Sequence, residues 1–353
     1  MDTYPRPPEL PRLFFARDYS QATLRTMIRE LRLVRVGTGA YVSPLVGRPW
    51  EQDSVRALGA IVAISRRVGP DVVFTETSAA RLHGCWLPAW DGLTHAAGPR
   101  SSGRTRASFK RHLVSIPEED IVELNGIRMT SLHRTVLDCA SRLPPRWGTA
   151  VADSAIRMIV RPRRGSPSDA EARASVIRAE WADRLDQRAG HRGIQKCRPI
   201  VAHAQPLVES AGESGLHWVV VSRGLPPAVY QYAVDLGQRA FFLDLGWEFG
   251  CRDWGIHERR RLTHARGWVV VGEEYDGEGK YDSPDSDDPG RVLRAEKARE
   301  DTLRAEGAFL ARRTKVDLRD PDALARRIVA RMPAKVAERL RPVPGLMSAP
   351  VAR

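Results

Sequence analysis

Apolar residues along this chain fall into two rhythms, one of three to four residues and one of two, and their succession outlines the elements. Between residues 10 and 46, Ser20 is suited to cap a helix opening at Gln21, because its hydroxyl can accept from the unbonded N–H groups of a first turn. Leu24, Ile28 and Leu31 follow at helical spacing and predict the inner face, which leaves Gln21, Thr23, Arg25, Thr26 and Arg29 pointing outward. Val34-Arg35-Val36 and Ala40-Tyr41-Val42 then flank Gly37-Thr38-Gly39, the pattern of a short β-hairpin. A helix followed at once by a hairpin is the sequence shape of a winged helix-turn-helix. In such a unit the helix enters the major groove and a wing residue such as Arg35 touches phosphate.

Residues 47–160 predict a central α+β unit. A periodic helix spans 54–67 (Val55, Leu58, Ile61, Val62, Ile64), a strand follows at Val72–Phe74 and a helix at Glu76–Leu82. The basic loop from Arg100 to Arg111 offers Arg104, Arg106 and Lys110 as a phosphate-contacting arm. Ser131 predicts the cap of a helix reaching Ser141, and His83 and His133 read as packing or hydrogen-bonding residues, since no second ligand sits at metal spacing. Residues 161–204 read as a linker and a polar, charged helix, and residues 205–332 alternate helix and strand. Strands are expected at Val229–Val234, Phe241–Trp247, Trp268–Tyr275 and Phe309–Arg313, with helices at Glu213–Val221, Val292–Ala305 and Pro321–Arg331. The Pro-rich stretch 333–353 is expected to fray as a flexible tail. The chain thus reads as multidomain, of mixed α/β and α+β class, ending in a mixed sheet flanked by helices.

Composition adds a partner. The 353 residues carry 56 Lys and Arg against 43 Asp and Glu, a net charge of +13, which favours a polyanion, most simply double-stranded DNA. Cys85, Cys139, Cys197 and Cys251 form no C-x-x-C pair, so neither a zinc framework nor a disulfide framework is expected. The N-terminus lacks an apolar signal core, and no run approaches the ~18 apolar residues of a membrane helix. The expectation is a cytoplasmic protein with no membrane partner.

Candidate chemistry centres on Trp268–Tyr281. An apolar Val269-Val270-Val271 run leads into Glu273, Glu274 and Asp276, and upstream Asp244 stands inside the apolar Phe241–Trp247 stretch. A buried carboxylate costs several kcal/mol unless paired, so acids on two strands suggest a shared cation. Strand alternation places Glu274 and Asp276 on one face and leaves Glu273 as a surface acid on the other. Asp244, Glu274 and Asp276 are therefore the expected ligands of Mg²⁺ or Mn²⁺, with Glu213 supporting them. Such an ion activates water for phosphodiester hydrolysis, and Lys280 is the nearest cation to steady the developing charge. The competing reading is that these acids simply pair with neighbouring arginines.

The segments Glu213–Leu216, Leu243–Leu245, Glu274–Gly277, Lys280-Tyr281 and Ala295–Asp301 together resemble the PD-(D/E)XK nuclease superfamily, and more narrowly the very-short-patch-repair-like endonuclease domains of actinobacteria. Thr75–Leu87 and Thr130–Ala140 resemble the AbiEi family, the antitoxins of type IV toxin–antitoxin and phage-defence loci. The resemblance spans roughly residues 10 to 330. It implies a DNA-binding winged helix, a central AbiEi-like domain and a nuclease-like domain at 205–332, with a cognate toxin or defence protein as a further partner. It also implies one of two activities: metal-dependent endonuclease, or non-catalytic repressor. This sequence departs from the nuclease pattern in placing Asp276 where a lysine is expected two residues after Glu274, and in the long basic loop between Trp247 and Trp268.

Overall fold

The structure, a computed structural model, describes residues 7–44, 47–68, 71–98, 108–163, 165–235, 240–255, 268–277, 297, 299, 301–303, 305 and 307–347. Helices and three sheets share them, as the mixed rhythm predicts. The first sheet has the order β1-β3-β2, from β1 (Phe14–Phe15), β2 (Val34–Gly37) and β3 (Ala40–Val42), with α1 (Gln21–Arg29) before the hairpin. Ser20 caps α1 as expected, its Oγ accepting the Thr23 N–H at 3.1 Å. The helix α2 (Pro49–Ser65) lies against the hairpin, where a Cβ at Gly59 would stand 2.6 Å from Val42.

The inner face of α1 departs from expectation. None of its residues is buried, Ile28 is 38% exposed and Leu31 73%. Leu31 adopts φ +55, which turns the chain out of the helix, and Leu33 is the residue that reaches the core instead. That core is continuous with the next unit, joining Val36 and Val42 to Leu58 and Ile61 of α2 and to Phe74, Leu82 and Met129.

The central sheet has the order β6-β5-β4-β8-β7. Its strands are β4 (Val73–Phe74), β5 (Thr94–Ala97), β6 (Phe109–His112), β7 (Ile121–Leu124) and β8 (Ile127–Thr130), and α3 (Glu76–His83) follows β4. A helical layer comes next: α4 (Leu132–Arg142), α5 (Pro145–Val160), α6 (Pro167–Asp186) and α7 (Ile194–Ala202). Ser131 caps α4 by accepting from the Arg134 N–H. The stretch read as linker and polar helix packs firmly, because α6 turns Trp181 and Leu185, both 0% exposed, into the core against Val136, Ile156 and Ile200.

The last sheet, order β12-β11-β10-β9, holds β9 (Val229–Asp235), β10 (Ala240–Gly250), β11 (Trp268–Tyr275) and β12 (Ala308–Arg313). β10 runs antiparallel to both β9 and β11, whereas β11 and β12 are parallel, a pairing that demands a crossover. Helical residues 301–303 lie within that connection, and Leu303 packs on Leu243, Val270 and Ala308. The opposite face of the sheet carries α8 (Ala211–Ser222) and α9 (Pro321–Val329) through Leu216, Val219, Leu324 and Ile328. Residues 333–347, expected to fray, instead fold back. Leu346 is 1% exposed and its carbonyl accepts the Trp218 indole N–H at 3.0 Å. No helix among the described residues is long and apolar enough to cross a membrane.

Candidate functional site

Asp244 sits where β10 changes face. Leu243 belongs to the cluster containing Val270 and Leu303, yet Leu245 belongs to the opposite cluster with Val271 and Leu216, so strict alternation fails at the residue between them. The neighbouring strand breaks step at the same level: Tyr230 and Tyr232 also divide between the two clusters, and Gln231 between them has φ +51. Such irregularities re-aim a side chain out of the plain in-or-out pattern. Here the Asp244 Oδ2 accepts the backbone N–H of Tyr275 at 2.7 Å, bridging the two strands at the end of their ladder.

Glu213 is brought beside Asp244 from the start of α8. Burial first, and then the charge of Asp244, push its carboxyl up to about 8. Both of its oxygens also serve the helix start. Oε1 accepts the Ser210 hydroxyl at 2.9 Å, Oε2 accepts the Glu209 N–H at 2.8 Å, and Ser210 Oγ accepts the Glu213 N–H at 3.2 Å, a reciprocal cap. Glu274 is engaged by the Arg299 guanidinium, which also lies over the Phe241 ring. Asp276 donates its backbone N–H to the Arg313 carbonyl at 2.7 Å. Lys280 lies outside the described residues, as do Arg104 and Arg106.

Glu273 requires a correction. Read as a surface acid, it is 1% exposed and lies in an ion-pair cluster with Arg313 and Arg331. Its partners are 40 and 58 residues away in sequence, on β12 and just beyond α9, which is why strand alternation alone misassigned it. Asp244, Glu274 and Asp276 do not converge as a metal-ligand group: among the described residues, the group of three whose donor atoms all lie within 4.8 Å of one another is a different one.

The candidate nucleic-acid face is open. Gln21, Thr23, Arg25 and Arg29 are exposed on α1, Thr26 is half-buried beside them, and Arg35 is exposed on the hairpin, where its Nε donates to the Gly37 carbonyl at 3.1 Å. Lys110 is on β6 and lines a cleft of about 940 Å³.

That cleft is lined by two members of the group which the sequence reading missed, Glu76 at the start of α3 and His95 on β5, and His112 at the end of β6 completes it. The strands are parallel neighbours with Ala97 opposite His112, so the imidazoles stack diagonally, ring centres 5.3 Å apart and 14° from coplanar. His95 Nδ1 stands 3.1 Å from Glu76 Oε2, His112 Nε2 stands 3.2 Å from Glu76 Oε1, and the two nitrogens are 3.0 Å apart. Arg142 Nε approaches Glu76 Oε1 at 2.9 Å. Burial would raise the Glu76 carboxyl, but the His95 hydrogen bond, the two imidazoles and Arg142 override it and hold the group below its ordinary value. Burial lowers His112 against the pull of Glu76. Spacing along the chain gave no sign of this group, since parallel strand pairing assembles it. His83 and His133 do behave as read, His83 bonding the Thr130 carbonyl at 2.8 Å and His133 accepting the Trp181 indole N–H at 3.2 Å.

No family model matches the chain. It is 30% identical over 165 residues to an uncharacterized protein of Mycobacterium tuberculosis strain CDC 1551 and, to the same extent, to an uncharacterized protein of strain H37Rv. The match takes in 42% of this chain and 61% of each relative, so the chain spans about three fifths of the length of the relatives it matches.

Proposed function

We propose that this protein is a double-stranded-DNA-binding regulator whose N-terminal unit acts as a winged helix-turn-helix and whose nuclease-like acids serve the fold. The observation that carries this reading is α1 itself. It buries none of its residues, and its exposed Arg25 and Arg29 form no ion pair among the described residues. A helix that contributes so little to the core, beside a hairpin bearing Arg35, suits a major groove with a phosphate contact on the wing. The net charge of +13 fits a polyanionic partner. The bonds already made by Glu213, Asp244 and Glu274 support the non-catalytic half, and the AbiEi resemblance suggests cytoplasmic repression of a locus that encodes a toxin or defence partner. Band shifts with duplex DNA from the region upstream of the gene test it. Wild type should bind with steep salt dependence and the double variant Arg25→Ala/Arg29→Ala should lose binding. Equal binding by both proteins would reject α1 as the reading helix.

A second reading, Mg²⁺- or Mn²⁺-dependent phosphodiester hydrolysis, is favoured by the Glu213–Asp244 pair. A Glu213 carboxyl whose proton affinity is raised by burial and by the charge of Asp244 attracts a cation when the pocket opens to one. It requires Glu274 to exchange Arg299 for the metal. The expected result of incubating supercoiled plasmid with Mg²⁺ or Mn²⁺ is no nicking above that of Asp244→Ala. EDTA-sensitive nicking by wild type alone would replace the regulator reading with the enzyme.

A further inference from the structure

The nuclease-like acids make no use of the central cleft. At its wall, Glu76 and His95 meet His112, so that three separate elements, α3, β5 and β6, bring donor atoms to only 3.0 to 3.2 Å from their neighbours in the cluster. Hydrogen bonding does not satisfy that arrangement. Each facing ring nitrogen carries one proton at most and the ionised carboxylate carries none, so at most two of the three contacts are hydrogen bonds at once. A cation at the centre satisfies all three together. The spacing fits a carboxylate that turns one oxygen toward each imidazole: metal bonds of about 2.0–2.1 Å put neighbouring ligand atoms roughly 2.9 Å apart in an octahedron and 3.4 Å apart in a tetrahedron, which brackets the two oxygen–nitrogen distances and the nitrogen–nitrogen distance.

The backbone is an independent sign. Glu76 has φ +52, a conformation that costs a non-glycine residue about 1–3 kcal/mol and persists where surrounding structure requires the side chain in one place. Both imidazoles hang from a sheet, the sort of rigid support that fixes ligand geometry. We propose that Glu76, His95 and His112 bind one first-row divalent transition-metal ion, Zn²⁺ foremost, as a two-histidine, one-carboxylate site. Its remaining coordination positions face the cleft, whose lining mixes Lys110, Arg142 and Lys196 with Asp91 and Asp138, so water is the expected next ligand. Arg142 is the resident competitor for Glu76. Its side chain is 55% exposed, so it can swing into solvent when the ion enters.

Titrating the full chain with Co²⁺, and displacing Co²⁺ with Zn²⁺, tests this directly. An Asp244→Ala background removes the acid on which the nuclease reading centres, and the ligand variants of this site are compared within it, so this site and the nuclease reading stand or fall separately. We expect a saturable one-to-one visible absorption spectrum, weakened at least about tenfold by His95→Asn or Glu76→Gln, given that even outer partners of a metal site are worth 10–100-fold. Arg142→Ala, an exposed change, should bind as tightly as the background protein or more tightly. His112→Asn, at the end of an outer strand, provides a third ligand variant if a buried one misfolds. The absence of a saturable spectrum in the background protein, unchanged affinity in a folded ligand variant, or weaker binding by Arg142→Ala would each overturn the proposal.

Discussion

Asp153 shows how much one buried group can weigh. It is 0% exposed on α5, accepts the Gln205 N–H at 2.8 Å and the Ser214 hydroxyl at 2.6 Å, and so ties the helical layer to α8. Burial pushes its carboxyl up to about 8. A folded-state value above the unfolded one means the folded protein holds the proton longer. This contribution is fully present below about pH 4 and is lost as pH rises through about 8. Glu213, also pushed up to about 8, acts in the same window, while His217, pushed down to about 3 by burial, acts at lower pH with the opposite sign. Comparing wild type with Asp153→Asn therefore isolates the residue, since the amide keeps one acceptor for Gln205 and one donor for Ser214. We expect the variant to be the more stable at pH 8, by no more than a few kcal/mol at about 1.4 kcal/mol per pH unit, with a flatter Tm profile between pH 5 and 8. Parallel profiles for the two proteins would show that Asp153 is ionised in the fold. Glu273 carries a related lesson. Strand alternation puts this acid of a valine-rich strand at the surface, and two distant arginines make it a core ion pair.

At the scale of elements, local chemistry was readable. The caps Ser20 and Ser131 and the strands around Val270 were legible because helix ends and strand rhythm depend on neighbours a few residues apart. The inner face of α1 was not, since a positive φ at Leu31 re-aimed the chain and left Ile28 exposed. The face switch at Asp244 was equally hidden, because it depends on matching irregularities in two strands. The α1 reading makes a quantitative claim. If Arg25 and Arg29 each neutralise one phosphate, removing one of them should lower the slope of log affinity against log salt by about 0.9. An unchanged slope in either single variant would remove that arginine from the interface.

Across the whole molecule, the segment after α9 acts as a brace. Leu346 packs with Ile194 and Ile200 of the helical layer while its carbonyl holds Trp218 of α8, and the Val343 N–H bonds the Ser222 carbonyl at 3.0 Å. At Gly224, φ is +64 and a Cβ would overlap the backbone of Arg341, so only glycine admits so close a return. Burying one leucine is worth about 1.5–3 kcal/mol. Leu346→Ala should therefore lower unfolding free energy by about 2–4 kcal/mol once the cavity is included, and truncation after residue 332 should lower it further. Unfolding curves unchanged by truncation would mean that the brace is not bound in solution.

The sequence by itself determined the succession of elements, the caps, the basic balance and the acids worth examining, since each depends on residue chemistry or on neighbours within a few positions. Tertiary structure alone decided which acids meet. It paired Glu273 with arginines 40 and 58 residues away, gave Glu274 to Arg299, and set Glu213 beside Asp244. It also brought Glu76, His95 and His112 together. The reason is physical: carboxylate and imidazole chemistry depends on distances of about 3 Å. Such distances across strands and helices are set by register and packing, which no local pattern along the chain records.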